Sequence, residues 1–413
     1  MVAYHFPPLQ GKSGVQRTLQ FCKYLPENDW KPLVLSIDKR AYPKDKDNLS
    51  NDDLNKFVVK RAFGFDSGKV FNIAGSYPKW LALPDRWASW WIGAVLCGLW
   101  MIEKHRPDII WSTYPISTAH LVALSLHKLS GIPWVSDFRD SMTEENYPKD
   151  PLNWRIYRWI EKKSVENAVR VIFTTSGTLR MYANRYPNIN KSKWGIISNG
   201  FNEDVFDGVE RSDRNKIPSK KAILLHSGVL YRNERDPSGF FSALHELKNE
   251  GKIDSKQLKV VLRDSGDTDY FQQELNRLDI EDLVFLESGV SFEEAIQEMV
   301  DADGLLIFQA SNCNHQIPAK IYEYFRAGRP IFAMTDVEGD TASLLKRMGA
   351  AKSVVSLKSK EEIKSGLLHF LSLIYQNTNS MLDHRLIKKH SRRYKTKQLA
   401  KVLDSVNLNR IIT

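Results

Sequence analysis

Short apolar segments alternate with longer helical stretches along most of the chain, and this alternation limits the fold more than any other feature. In the first half, the apolar segments are residues 31–37, 107–113, 132–138, 169–175 and 193–199. In the second half, they are residues 222–228, 258–266, 283–289, 302–309, 329–334 and 351–357. Strand-length apolar runs separated by helices are typical of parallel sheets that carry helices on both faces. The sequence therefore predicts an α/β fold.

The alternation is interrupted by a polar segment at residues 207–221, which has no apolar period of its own. A chain of 413 residues also exceeds what one hydrophobic core usually organises. We therefore predict an N-terminal domain over 1–206, a linker over 207–221 and a C-terminal domain over 222–375. Residues 376–413 are predicted to form a basic helix that packs back on the N-terminal domain. Because ligands of open parallel sheets bind beyond the carboxyl ends of the strands, two such domains predict a substrate cleft between them.

Cysteine usage and hydrophobicity indicate the compartment. The chain has three cysteines, which lie far apart and without metal-ligand spacing, so we expect a reduced cytoplasmic protein without a disulfide framework. No secretory signal is visible at the N-terminus. The most apolar stretch, 90–102, is shorter than the roughly 20 residues that cross a membrane. It predicts a core helix, with a partly exposed face that touches lipid or a partner as the alternative.

Basic residues are concentrated at the C-terminus of a chain whose net charge is +10. Residues 380–413 contain nine Lys or Arg against two Asp. Such a run is usually a solvated helix face, but it also suits an anionic membrane surface. No recognisable nucleic-acid-binding motif accompanies the charge. We therefore expect a protein that can lie peripherally on the inner face of the membrane through residues 380–413, with no nucleic acid as partner.

A glycine-containing loop, "FPPLQGKSGVQR" at 6–17, opens the first predicted helix. Gly11 and Gly14 would let the backbone approach a ligand closely, and free N–H groups at a helix N-terminus favour an anion. An ordinary strand-to-helix turn explains the same residues equally well. The loop is therefore a candidate anion site with a structural alternative.

Charged residues follow an apolar strand in "VSDFRDSMTEE" at 135–145, where Asp137, Arg139 and Asp140 stand together. Charged groups at the carboxyl end of a strand favour a binding site. The alternative is a structural ion pair between Arg139 and one of the aspartates.

Two segments of the second half carry further candidates. Arg232 and Arg235 lie in "HSGVLYRNERDPSGF" at 226–240, and planar guanidiniums pair well with a diphosphate, although solvated loop arginines are the alternative. In "NHQIPAKIYEYFRAGRPIF" at 314–332, a helix is predicted to start near Pro318. Lys320 in its first turn favours an anion, and Glu323 can accept hydrogen bonds from hydroxyls. The alternative is a weak Lys–Glu pair on a helix surface.

The chain has no HExxH motif, no paired cysteines and no His-rich cluster. A dedicated metal site is therefore not expected.

Six stretches together resemble one family. They are residues 6–17, 107–142, 196–206, 226–240, 301–309 and 318–332. Their order and spacing are similar to those of family 4 retaining glycosyltransferases, which have the GT-B fold of two Rossmann-like domains facing across a cleft. The resemblance covers nearly the whole chain and rests on six motifs in register. Chains of this family usually have a few more residues before the first strand, so we expect additional residues ahead of this N-terminus.

The resemblance implies that the C-terminal half binds a nucleotide-sugar and the N-terminal half an acceptor, usually without metal or another cofactor. Glu323 matches the glutamate that binds the nucleotide ribose, and Arg235 stands where a lysine commonly binds the diphosphate. Lys320 is assigned to the phosphates or the sugar. The loop residues Gly11, Ser13 and Gly14 match a loop that closes over the donor phosphates, and Gly228 matches the loop glycine of the C-terminal half.

Two positions depart from the family pattern. His315 stands where a glutamate is expected, and Val229 replaces an arginine. We expect Arg232 to supply the missing cation and His315 with Gln316 to meet the sugar hydroxyls. Arg139 and Asp140 are the acceptor-side candidates.

The resemblance therefore implies a retaining glycosyltransferase of hexosyltransferase type in cell-surface polysaccharide synthesis, acting on a glycan or lipid-linked acceptor. A cationic pocket for the departing diphosphate would supply most of the catalysis, without a protein nucleophile. A nucleotide-sugar 2-epimerase of the same fold and a non-catalytic glycosyltransferase-like scaffold are the alternatives.

Overall fold

The computed structural model describes residues 1–9, 13–42, 57–70, 82–212, 221–350, 353–376 and 382–412. The chain forms two compact units, Met1–Asn199 together with Arg392–Thr413, and Gly200–Ser391. Gly11 and residues 213–220 of the expected linker lie outside the described residues, as does the side chain of Ser13.

The first unit contains six parallel strands and the helices that connect them. The strands are β1 Leu33–Ile37, β2 Val58–Ala62, β3 Ile110–Thr113, β4 Trp134–Phe138, β5 Arg170–Phe173 and β6 Trp194–Ile196. The helices are α1 Ser13–Tyr24, α2 Ser67–Val70, α3 Trp90–His105, α4 Ser117–Ser130, α5 Pro151–Asn167 and α6 Ser176–Arg185, with α14 Arg392–Ile412 at the C-terminus.

The strands of this unit pair as β1 with β2 and in the order β3-β4-β5-β6. Val2 bridges both sets, because it pairs in parallel with Leu35 of β1 and with Ser112 of β3. Every residue of β4 is buried, as expected for a central parallel strand covered by helices on both faces. The carboxyl end of β4 is thereby placed inside the unit, directly before Arg139.

The second unit is built around one six-stranded parallel sheet in the order β12-β11-β10-β7-β8-β9. Its strands are β7 Ala222–Ser227, β8 Leu258–Arg263, β9 Val284–Glu287, β10 Gly304–Phe308, β11 Ile331–Met334 and β12 Val354–Val355. Its helices are α7 Ser238–Asn249, α8 Thr268–Arg277, α9 Phe292–Asp301, α10 Lys320–Ala327, α11 Asp340–Arg347, α12 Lys360–Tyr375 and α13 His384–Lys388. The predicted class of two parallel α/β domains is confirmed.

Each apolar segment singled out in the sequence contains a strand, usually shortened at its ends. Strand β2 was not predicted, because its sequence VVKRA carries two basic residues and is only partly buried. Residues 200–206, which the sequence-based boundary gave to the N-terminal domain, belong to the second unit. The reason is apolar packing, since Phe201 and Phe206 are buried in the same cluster as α10.

The basic C-terminal segment is two helices rather than the one helix predicted over 376–413. Helix α13 belongs to the second unit, whereas α14 belongs to the first. Leu399 and Leu403 of α14 are buried in one cluster with Phe21 and Leu25 of the α1 region. Among the described residues, no helix combines the length and hydrophobicity needed to cross a bilayer.

Candidate functional site

The end of strand β7 and the start of helix α10 meet in the second unit. Gly228, immediately after β7, has a φ of +106°, a backbone conformation that side chains rarely adopt. A Cβ atom at this position would lie 3.2 Å from the Lys320 ammonium nitrogen. Glycine is therefore required here both by its backbone and by the close approach of Lys320.

Lys320 forms a hydrogen bond with a buried histidine that was not among the predicted site residues. The Lys320 Nζ lies 3.0 Å from His226 Nε2, and His226 Nδ1 lies 2.9 Å from the Leu306 carbonyl oxygen. Because a carbonyl only accepts, Nδ1 carries the proton, and Nε2 is free to accept from Lys320. Burial and the nearby Lys320 hold the pKa of His226 well below its usual value, which keeps the ring neutral.

The surroundings of Lys320 disfavour the charged form of its side chain. Desolvation, followed by repulsion from Arg235, lowers the pKa of Lys320 well below its usual value, and Glu323 opposes this effect. A group in this situation gains from any ligand that brings negative charge beside it. Lys320 and Arg235 thus form a cationic pair whose charge is only partly offset by Glu323.

Two further residues of α10 face the same region. Glu323 is 8% exposed, so most of its side chain is enclosed by protein. The hydroxyl of buried Tyr324 accepts a hydrogen bond of 3.1 Å from the Ser227 backbone N–H, which fixes α10 against the end of β7. Burial also raises the pKa of Tyr324, so the hydroxyl stays protonated.

The two candidate arginines have different surroundings. Arg235 is half-buried, and its Nη1 donates to the Val229 carbonyl at 3.1 Å. Arg232 is exposed, lies 4.5 Å above the Tyr270 ring and forms an ion pair of 3.3 Å with Asp267. Arg232 lines a pocket of about 660 Å³ together with the other residues of 229–234 and Asp267. The charge of Arg235 acts on Lys320, whereas Arg232 already has an acidic neighbour.

The loop before α10 contains His315, which departs from the expected pattern, and its neighbour Gln316. His315 and Gln316 are half-buried and adjacent, with His315 Nε2 and Gln316 Nε2 separated by 3.3 Å. Gln309 at the end of β10 shapes this loop, because its Nε2 donates to the carbonyls of Cys313 and Gln316 at 2.8 and 3.1 Å. The loop is thus a fixed turn between β10 and α10 rather than an open surface segment.

The charged cluster of the first unit is an ion pair with an unexpected partner. Arg17 of α1 binds Asp137 through two hydrogen bonds of 2.9 and 2.7 Å, and both side chains are buried. Arg17 Nη2 also donates to the Ile197 carbonyl at 2.9 Å. The ion pair predicted as the structural alternative joined an aspartate to Arg139, whereas the partner of Asp137 in the structure is Arg17. A buried Asp at a strand end calls for a distant cation, but sequence spacing does not reveal which one.

The acceptor-side candidates differ in exposure. Arg139 is 7% exposed and Asp140 is exposed. A Cβ atom on Gly14 would lie 2.7 Å from Arg139 Nη1 and 2.8 Å from His5 Nδ1, so a larger residue at position 14 would displace both. Gly14 and Arg139 are therefore brought together in the first unit.

No group of three or more metal-ligating side chains stands together among the described residues. A metal-independent reaction stays a prediction of the sequence analysis.

Comparison with known proteins matches the N-terminal part of the chain to a family. Residues 16–200 match the family described as a glycosyl transferase 4-like domain. No curated protein sequence matches the chain.

Solved structures share the fold over nearly the whole chain. Anabaena HepE in complex with UDP and glucose has 16% identity and a TM-score of 0.61, covering 96% of this chain and 97% of that one. Sucrose-phosphate synthase from Thermosynechococcus elongatus has 14% identity and a TM-score of 0.60, covering 97% and 92%. WaaG, a glycosyltransferase involved in lipopolysaccharide biosynthesis, has 12% identity and a TM-score of 0.60, covering 97% of each chain. Residues 16–200 of the chain therefore match a glycosyl transferase 4-like domain, and the chain as a whole has the GT-B fold of these solved glycosyltransferases.

Proposed function

We propose that this chain is a retaining glycosyltransferase that moves a hexose from a nucleotide-sugar to a glycan or lipid-linked acceptor in cell-surface polysaccharide synthesis. The observation that carries the proposal is the group formed by Gly228, Lys320, Glu323 and Arg235 in the second unit. Its lysine is paired with a neutral histidine and repelled by an arginine, so it is arranged for an anion that arrives with the substrate.

The donor diphosphate binds Lys320 and Arg235. Gly228 lets the backbone come close to the phosphates, and the N-terminus of α10 adds backbone N–H groups. When the sugar leaves, charge develops on the diphosphate, and preorganised cations beside it lower the barrier. These residues supply that stabilisation without a metal and without a protein nucleophile. NMR of the anomeric proton of the product tests whether the configuration of the sugar is retained.

Glu323 binds the nucleotide ribose. An enclosed carboxylate one turn after Lys320 can accept hydrogen bonds from two neighbouring hydroxyls, which an exposed carboxylate would lose to water. His315 and Gln316 are assigned to the sugar hydroxyls. HepE, a structural neighbour solved with UDP and glucose, makes UDP-sugars the first donors to test.

The acceptor binds the first unit. Arg139 and Asp140 stand at the carboxyl end of β4, and Gly14 lies against Arg139. The loop containing Gly11, Ser13 and Gly14 is assigned to the donor phosphates. A cytoplasmic enzyme of this kind would meet an anionic membrane surface through residues 380–413 when its acceptor is lipid-linked.

A thermal-shift comparison tests the ribose assignment. UDP, GDP and ADP are added to wild type, to Glu323→Ala and to Glu338→Ala, which removes an exposed carboxylate of the same unit. We expect one nucleotide to raise the melting temperature of wild type and Glu338→Ala but not of Glu323→Ala, because a ligand stabilises only the folded protein that binds it. If no nucleotide or nucleotide-sugar stabilises wild type, the proposed function is wrong.

Nucleotide affinity is expected to fall as pH rises. Before binding, the pKa of Lys320 is lowered by burial and Arg235, and a bound diphosphate raises it again. Binding therefore takes up a proton at any pH between these two pKa values. Calorimetry in buffers of different ionisation enthalpy should detect this uptake for wild type and equally for Lys346→Met, which removes an exposed lysine of the same unit. A binding enthalpy that is independent of the buffer would contradict the assignment of Lys320.

A further inference from the structure

Helix α3 of the first unit exposes an apolar stripe to solvent. Its opposite face is buried through Trp90, Ala94, Gly98 and Met101. Ile92, Leu96 and Trp100 are 68%, 66% and 41% exposed. Residues spaced by four lie on one side of a helix, so these three side chains form a continuous stripe.

Two aromatic residues extend the stripe sideways. Trp91 is 39% exposed, and its Nε1 donates to Ser125 of α4 at 3.0 Å. Phe63, which follows β2, is 62% exposed, and its backbone oxygen would lie 2.6 Å from a Cβ on Gly93. We call the surface formed by Phe63, Trp91, Ile92, Leu96 and Trp100 the α3 patch. Exposed apolar groups of this size and continuity mark interaction surfaces.

Cationic side chains border the α3 patch. The ammonium nitrogens of Lys60 and Lys104 lie 4.8 and 4.9 Å from the centroid of the Trp100 ring. No charged residue occurs between Arg86 and Glu103, so the first three turns of α3 carry no charge. Lysines whose alkyl chains pack on an aromatic ring keep their ammonium groups at the edge of an apolar surface.

We propose that the α3 patch inserts into the interfacial region of an anionic lipid bilayer. Trp side chains favour the boundary between headgroups and acyl chains, and Leu and Ile supply the buried apolar area. Lys60 and Lys104 are then placed at the level of the lipid phosphates, where each contributes about 1 kcal/mol. The surface lies on the unit to which the acceptor is assigned, but the inference does not depend on the sugar chemistry.

The charge pattern favours a bilayer over a second copy of the chain. An isologous dimer presents the same surface from both partners, which would bring the lysine borders of both copies into one interface. The basic tail is a separate contact, and part of its charge is already committed within its own unit. Arg392 and Lys395 are buried, and Arg393 pairs with Glu27 at 2.7 Å. Binding through the α3 patch should therefore persist at high salt, whereas binding through the tail alone should not.

Co-sedimentation of the full chain with vesicles tests this inference. The vesicles contain equal parts of phosphatidylglycerol and phosphatidylcholine, and salt is varied. We expect Ile92→Glu/Leu96→Glu to bind at least tenfold more weakly than wild type at high salt. Leu152→Glu/Val290→Glu, a control pair with 53% and 39% exposed side chains on other segments, should bind like wild type.

Further measurements distinguish insertion of the α3 patch into lipid from misfolding of a variant and from formation of a dimer. Brominated lipids should quench the tryptophan fluorescence of wild type more than that of Trp100→Phe. Circular dichroism and cooperative thermal unfolding verify that each variant is folded, and the milder Leu96→Ser replaces any variant that is not. Equal binding of wild type and the Ile92→Glu/Leu96→Glu variant would overturn the inference, as would light scattering that shows a dimer which this variant converts to a monomer.

Discussion

Lys320→Met is expected to stabilise the free protein and to abolish donor binding. The pKa of Lys320 is lowered on folding, so the charged side chain opposes folding at neutral pH, and an apolar side chain of similar length removes this cost. We expect a gain of about 1 kcal/mol, or about 2–4 °C in melting temperature. Donor hydrolysis and the affinity for UDP should fall at least about a hundredfold, because a cation beside the departing diphosphate is lost.

The pH dependence gives this prediction a second signature. An unfolded lysine stays protonated up to about pH 10, whereas the folded one loses its proton earlier. The stability gain of Lys320→Met should therefore be full below the folded-state pKa of Lys320 and shrink as pH rises from there toward that value. Lys346→Met, at an exposed position of the same unit, should change neither stability nor binding. A variant of Lys320 that is destabilised yet still binds UDP would contradict the proposed role.

Asp137→Asn is expected to destabilise the first unit more than any other substitution considered. The change leaves the Arg17 guanidinium buried without the carboxylate that accepts its two hydrogen bonds. Removing one partner of a buried ion pair typically costs about 3–5 kcal/mol. Thr113 Oγ1 would also lose a charged acceptor at 2.9 Å. Denaturant unfolding followed by tryptophan fluorescence measures the loss.

Two comparisons isolate the ion pair as the cause. Asp38→Asn removes a carboxylate from the exposed pair with Arg40 and should have little effect on stability, since solvent screens such pairs. The double variant Arg17→Met/Asp137→Leu should recover part of the stability lost in Asp137→Asn, because no charge is then left unpaired. If the double variant is less stable than Asp137→Asn, packing rather than charge explains the loss.

The architecture of both units could be predicted because its signals are local. Apolar runs such as IPWVSDF are short, bounded by turn residues and buried on both faces, which is what a central parallel strand requires. Strand β2 was missed for the same reason, since VVKRA is only partly buried and lacks an apolar run. Residues 376–413 were predicted as one helix because basic residues occur throughout the segment, although its two helices belong to different units.

The candidate site could be predicted in part. Lys320, Glu323, Arg235 and Gly228 were selected from motifs, and the structure brings Lys320 next to Gly228 and within electrostatic reach of Arg235. His226 was missed, because a histidine inside an apolar strand carries no signal of its own. Its importance follows only from the Leu306 carbonyl, which sets the tautomer that accepts from Lys320.

The sequence by itself determined the class of fold and the residue types that are proposed to bind a diphosphate and a ribose. Periodicity, turn residues and helix starts are properties of neighbouring residues, so they can be read along the chain. The tertiary structure alone decided the partners, since Lys320 meets His226 across 94 residues and Arg17 meets Asp137 across 120. Burial makes those pairings important, because the free energy of a charge removed from water depends on the few groups that surround it.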